Sequence, residues 1–133
     1  MARVITQAEA IRLDLPGRTA LEIVSARVGA RSMTLRLVEI PPQGLAPSPR
    51  RAHHHEHCEE CTFVLSGTGT TYADSGEYPL TPGDTIFIPP GEKHATRNTG
   101  TTPLVLLCFL PIADMGLDTI EPDAQTPPRG SAP

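Results

Sequence analysis

Four of the five residues from 53 to 57 are histidines (His53, His54, His55 and His57), Glu60 follows three positions later, and the fifth and last histidine of the chain is His94. Neutral imidazoles beside a carboxylate are the ligand set that divalent transition metals favour. In a strand, alternate side chains take opposite faces, so His53 and His55 point one way and His54 the other. Two imidazoles then reach one ion from a single strand, Glu60 can add a third ligand where the next strand opens, and His94 can close the set from across a barrel. Three imidazoles and a carboxylate leave one or two positions for water, dioxygen or a bidentate substrate, unlike the closed sulfur-rich shells of structural zinc. The donor types suit one divalent transition metal ion, Fe, Mn, Ni, Zn, Co or Cu, without choosing among them.

Short strands must position these groups. From Thr19 onward, β-branched or alternating runs (Leu21 to Ser25, Met33 to Ile40, Cys61 to Leu65, Thr68 to Tyr72, Thr85 to Ile88 and Leu104 to Leu110) are separated by Pro- and Gly-rich punctuation. Met33, Leu35 and Leu37 alternate with Thr34 and Arg36, the period of a strand with one buried face. Many such strands imply an all-β sandwich, jelly roll or barrel rather than a parallel α/β sheet. Residues 1–18 form an N-terminal extension, expected as a short helix, since Thr6 and Glu9 have capping-box spacing, or as an exchanged strand. The barrel is expected over 19–112, and a polar, proline-rich tail over 113–133 is expected to be largely mobile.

The 133 residues suit a single domain with a real core. A formal charge of −4, with eleven basic residues scattered among acidic ones, argues against nucleic acid as a partner. The N-terminal stretch interrupts its apolar residues with Arg, Glu and Asp, and no run approaches a membrane span, so a cytoplasmic protein with no membrane partner is expected. Three cysteines in no disulfide-framework spacing suit a reducing compartment.

The stretch from His53 to Gly67, in which HxH is followed by four residues, Glu60, six residues and Gly, resembles the first motif of the cupin superfamily. The second motif, with Gly, Pro, Gly, His and Asn at set distances, resembles Gly83, Pro89, Gly91, His94 and Asn98. Fifteen residues separate the two motifs, similar to the short spacing of compact microbial cupins. The resemblance implies a single conical jelly-roll β-barrel with His53, His55, Glu60 and His94 as ligands in its mouth. It further implies a homodimer, built through sheet faces or exchanged N-terminal strands. His55 and His57 form a second HxH with only two residues before Glu60, a spacing that fits the family pattern less well.

Around these ligands, Arg51 shares parity with His53 and His55, and its guanidinium can either clamp a substrate carboxylate or phosphate or lie on the surface above the mouth. Thr62 and Thr96 follow Glu60 and His94 on their own faces and are candidate pocket walls; Val64 reads as core. His57 and Tyr72 are the candidate acid–base residues, and Arg36 is a further polar candidate. Cys58 and Cys61 read either as a redox pair or half a zinc site, or as one loop thiol and one packed strand thiol. The function expected from family resemblance is a metal-dependent enzyme acting on a small oxygenated substrate, of dioxygenase, decarboxylase, isomerase or lyase type. The alternative is a non-catalytic small-molecule or sugar sensor.

Overall fold

The computed structural model describes residues 1–43 and 52–120. Eleven strands run β1 (Ile11–Leu15), β2 (Arg18–Val24), β3 (Thr34–Ile40), β4 (His54–His55), β5 (Glu60–Ser66), β6 (Gly69–Ala73), β7 (Gly76–Leu80), β8 (Thr85–Ile88), β9 (His94–Asn98), β10 (Leu104–Leu110) and β11 (Thr119–Ile120). The fold is an all-β jelly roll. Six strands form one sheet in the order β1-β2-β3-β10-β5-β8, three form a second in the order β7-β6-β9, and β4 pairs with β11.

The N-terminal residues fold differently from a helix. Thr6 and Glu9 make the expected capping box, with the Thr6 N–H donating to Glu9 Oε2 at 2.7 Å, but it starts only the 3-10 turn Gln7–Glu9. Ile11, Leu13 and Leu15 then alternate with Arg12 and Asp14, a period of two that suits β1, and β1 pairs with β2 of its own chain. The tail residues 121–133 and Arg51 lie outside the described residues. Residues 114–120, expected within that tail, form the 3-10 turn Met115–Leu117 and then β11.

Strict alternation on the large sheet separates packing from chemistry. One row across its inner face is apolar: Ala20, Val38, Leu106 and Val64, all buried and in register from β2 through β3 and β10 to β5. The next inward row is polar: Glu22, Arg36, Cys108 and Thr62. Glu60 follows Thr62 inward on β5, so the strand carries its carboxylate to the end of the sheet where the histidines arrive. Leu80, Ile86 and Leu104 extend the apolar cluster beneath.

Two motif glycines are required by geometry. Gly67 turns β5 into β6 at φ +80°, and a Cβ there would stand 2.4 Å from the Pro103 carbonyl. Gly91, at φ +82°, donates its N–H to the His55 carbonyl at 2.7 Å and so ties the loop before β9 to the histidine strand. Asn98 ends β9 fully buried, donating to the carbonyls of Ile40 and Thr102 and accepting from the Gly100 N–H. The last position of the second motif is therefore a structural lock between the two sheets.

Candidate metal centre

His53 and His94 face each other through a reciprocal backbone pair, His53 N–H to His94 carbonyl at 3.0 Å and His94 N–H to His53 carbonyl at 2.8 Å. Their ring centroids are consequently 4.4 Å apart, and His55 stands 5.1 Å from His53 and 5.6 Å from His94. All three are buried, and one ring nitrogen of each lies within 4.8 Å of the others. Glu60, also buried, brings Oε2 to 2.7 Å from His94 Nε2 and Oε1 to 3.9 Å from His55 Nε2. His57 points out of this group, its side chain 78% exposed, so alternation brings His53 and His55, rather than His55 and His57, to His94.

The hydrogen bonds on the far side of two rings select their tautomers. His94 Nδ1 is 2.9 Å from the Glu92 carbonyl, which can only accept, so Nδ1 carries a proton and Nε2 is the ring nitrogen turned to Glu60. His55 Nδ1 is 3.0 Å from Thr119 Oγ1, whose single proton is given to the Met115 carbonyl at 2.7 Å. Thr119 must therefore accept, and His55 Nδ1 carries a proton. His94 Nε2 is buried without a hydrogen-bond partner although a carboxylate oxygen lies 2.7 Å away. An imidazole nitrogen and a carboxylate oxygen this close are held by a shared proton or by a cation, and imidazole plus carboxylate is a set that a divalent transition ion accepts.

The segment that supplies Thr119 is anchored beside it. Asp118, 4% exposed, accepts from the backbone N–H groups of His57 (3.0 Å) and Cys58 (2.9 Å) and lies 2.8 Å from His57 Nδ1. Burial pushes the Asp118 carboxyl up, but these hydrogen bonds outweigh it and bring its pKa down to about 2. The same contact raises His57 above the usual imidazole value. Burial, with Asp118 beside it, pushes the Cys58 thiol up; Cys58 and Cys61 are not joined in a disulfide, and Cys61 is a strand residue of β5. Cys58 and Cys61 therefore stand as one loop thiol and one strand thiol.

A cavity of about 60 Å³ adjoins the histidines. Thr62 and Thr96 line it, with Cys108, Met115, Thr119, Arg18 and Arg36. Thr62 donates to Cys108 Sγ at 3.4 Å, and Thr96 shares a 2.7 Å hydrogen bond with Thr71. Neither candidate acid–base residue reaches it. Tyr72 lies on the outer face of β6 with Arg97 stacked 5.3 Å from its ring centroid, because Thr71 takes the inward position, and His57 is held outward by Asp118. Sequence reasoning missed Asp118, Thr119, Cys108 and Arg18; an isolated Asp-Thr pair in a polar segment carries no signal of the strand it will meet.

A family model described as a cupin domain matches residues 36–110. The chain is 32% identical over 110 residues to auxin-binding protein 1 of Arabidopsis thaliana, covering 73% of this chain and 55% of that protein. It is 34% identical over 58 residues to an oxalate-binding protein of Thermotoga maritima, 44% of this chain and 48% of the other. The chain spans about half the length of the curated relatives it matches. Among solved structures, Pac13 of Streptomyces, a nucleoside dehydratase, shares the fold with a TM-score of 0.74 over 90% of each chain at 17% identity.

The Asp118 anchor has a defined pH signature. Its carboxyl titrates at about 2 in the folded chain against 3.8 when free, so its contribution to stability is complete above about pH 4 and is lost as pH falls through 2. Asp118→Asn is expected to lower Tm at neutral pH, with the gap to the parent protein closing between about pH 4 and pH 2. A gap that stays constant across that range in thermal melts would show that the anchor does not act as an ionised carboxylate.

Proposed function

Since the chain belongs to the cupin family, we propose that it is a metal-dependent enzyme acting on a small oxygenated substrate, with His53, His55, Glu60 and His94 holding one divalent transition ion. The observation that carries this is the buried approach of His94 Nε2 to Glu60 Oε2 at 2.7 Å, with the Nδ1 proton of His94 committed to a carbonyl. When bound, such an ion polarises a substrate oxygen as a Lewis acid or activates dioxygen, so dioxygenase, decarboxylase, isomerase and lyase chemistry all fit. The residues around it bind and orient. Thr62, Thr96 and Cys108 present small polar groups, and Leu106 and Ile88 exclude water from below. His57 and Tyr72 lie outside the cavity and receive no catalytic role in this reading.

A non-catalytic binding role is the second reading, favoured by two relatives named for binding auxin and oxalate. An enzyme turns substrate over in a metal-dependent manner, whereas a binding module gives only saturable thermal stabilisation. No helix of the described residues is long and apolar enough to cross a membrane. Three cysteines that form no disulfide among the described residues support a reducing, cytoplasmic setting.

The outer face of the large sheet supports a homodimer. Cys61 of β5 is in register with Phe109 of β10 on one side and Phe87 of β8 on the other, and Phe63 and Leu65 follow along the same face of β5; these four large apolar side chains are exposed on one face, a surface of the kind that marks an interface.

Elemental analysis of untagged protein purified without chelator is expected to find about one equivalent of metal, lost in a His55→Ala/His94→Ala variant. Equal, negligible metal in both after reconstitution would overturn the metal centre. Thr119→Val removes the acceptor for His55 Nδ1–H and is expected to weaken Co(II) affinity about 10- to 100-fold while leaving the fold intact. Unchanged affinity in a competition titration would remove Thr119 from the site. By light scattering the protein is expected to have twice the mass of one chain, and Phe87→Glu/Phe109→Glu the mass of one; a parent protein that is monomeric throughout would exclude the dimer.

A further inference from the structure

After β10 the chain leaves the large sheet and crosses to the histidines as a strap, residues 114–120. Up to Ala113 it is pinned: the Ile112 carbonyl accepts from Thr34 Oγ1 at 2.6 Å, and the Ala113 carbonyl from the Ala26 N–H at 2.9 Å. Beyond that point many of its hydrogen bonds are to itself. Asp114 accepts the Gly116 N–H at its carboxylate and the Leu117 N–H at its carbonyl, and the Met115 carbonyl accepts from the Asp118 N–H and from Thr119 Oγ1. A segment bonded internally in this way moves as one piece about the Ala113–Asp114 junction.

Its fastening to the site is concentrated on one residue. Three consecutive N–H groups of the connection between β4 and β5 donate to Asp118: Glu56 to its carbonyl at 2.9 Å, and His57 and Cys58 to its carboxylate at 3.0 and 2.9 Å. The ladder of β11 on β4 pairs Thr119 with His55 and Ile120 with His54 and extends no further. Apolar burial adds little, since Leu117 is 79% exposed and Ile120 45%. Glu56 and His57 lie at the surface, so solvent replaces these hydrogen bonds at small net cost when they break. Few buried apolar contacts and hydrogen bonds at the solvent edge are the marks of a segment that opens well below the cost of global unfolding.

The metal centre lies beneath it. His53, His55 and His94 are only 4%, 2% and 3% exposed, too enclosed for a hydrated ion to reach without movement. Met115 and Thr119 line the same cavity as the three rings, so lifting the strap uncovers them. The same motion takes Thr119 from His55 Nδ1 and removes the acceptor that orients this ring. Access to the centre and its grip on an ion therefore change together.

We propose that residues 114–120 form a hinged gate over the metal centre, latched by Asp118, through which the ion enters and leaves. Shut, the strap encloses the cavity and holds His55 in place; open, it exposes the rings and loosens one of them. What the gate admits rests on the metal-centre reading, whereas its motion does not.

Two readouts on the full chain test this. Amide hydrogen exchange of the metal-free protein follows the motion: the Glu56, His57 and Cys58 N–H groups are expected to exchange together, and faster than those of Val64 and Gly83, which donate to the Asp84 and Val64 carbonyls between β5 and β8. Equal protection of the two sets would mean that the strap opens only with the whole fold, and overturns the gate. Stopped-flow uptake of Co(II), and its loss to excess EDTA, follow passage. Asp118→Ala is expected to raise both rates about tenfold, whereas Thr119→Val raises loss alone. Asp118→Asn, which keeps one acceptor oxygen, is measured beside it and is expected to fall between Asp118→Ala and the parent. Loss that rises alone in Asp118→Ala would mark a distorted centre, and unchanged rates a latch without bearing on passage; either result overturns the gate while the centre stands. A parent protein that takes up no Co(II) overturns the metal centre, and the ion gate with it.

Discussion

Two backbone hydrogen bonds between His53 and His94 hold the functional end of this molecule together. They join the short histidine strand to β9, and so to the smaller sheet, while β5 brings Glu60 from the larger one. Side chains that must meet within a few ångströms are thus supplied by three segments whose alignment is set by peptide groups. That arrangement resists small perturbations, because a ladder shifts by whole residues, and a one-residue slip would turn His53 and His55 outward together. The Gly91 N–H on the His55 carbonyl adds a further main-chain tie at the same place.

The residues after β10 complete what the sheets begin. Asp118 takes up the N–H groups of His57 and Cys58, which lie in the connection between β4 and β5 where no ladder can satisfy them. The connection thereby acquires a fixed shape, and Glu60 enters β5 facing inward. One residue further on, Thr119 can only accept from His55, because its own proton is committed to Met115. A carboxylate and a hydroxyl in adjacent positions thus settle the path of the loop and the tautomer of the ring.

The parts of the site legible in the sequence are those governed by local periodicity. Alternation predicts that His53 and His55 share a face and that Thr62 lies beside Glu60, and all four sit together in the structure. The strand run Leu104 to Leu110 and the turns at Gly67, Gly83 and Gly91 are equally local. Tyr72 went the other way because the register of β6 against β9 depends on a distant partner; Thr71, one position earlier, is the buried residue. Asp118 and Thr119 meet residues some sixty positions away, and nothing in a polar segment announces such a contact. Arg36 is a polar candidate that alternates with Leu35 and Leu37 in the sequence, but its inward place and its pairing with Glu22 follow from the register of β2 on β3.

The inner face of the large sheet explains how stability and chemistry coexist in so short a chain. The row Ala20, Val38, Leu106 and Val64 is entirely apolar and closes the core from water. The adjacent row carries Glu22, Arg36 and Thr62, with the Cys108 thiol between the last two, and is still mostly buried. Charges held just above a dry floor interact more strongly than they would in water, since the effective dielectric falls on one side of them. The same floor makes an uncompensated charge costly, and Glu22 is met there by Arg36. Placing the change from apolar to polar at a single row lets substitutions in the upper row redirect what the cavity binds while the lower row continues to hold the two sheets together.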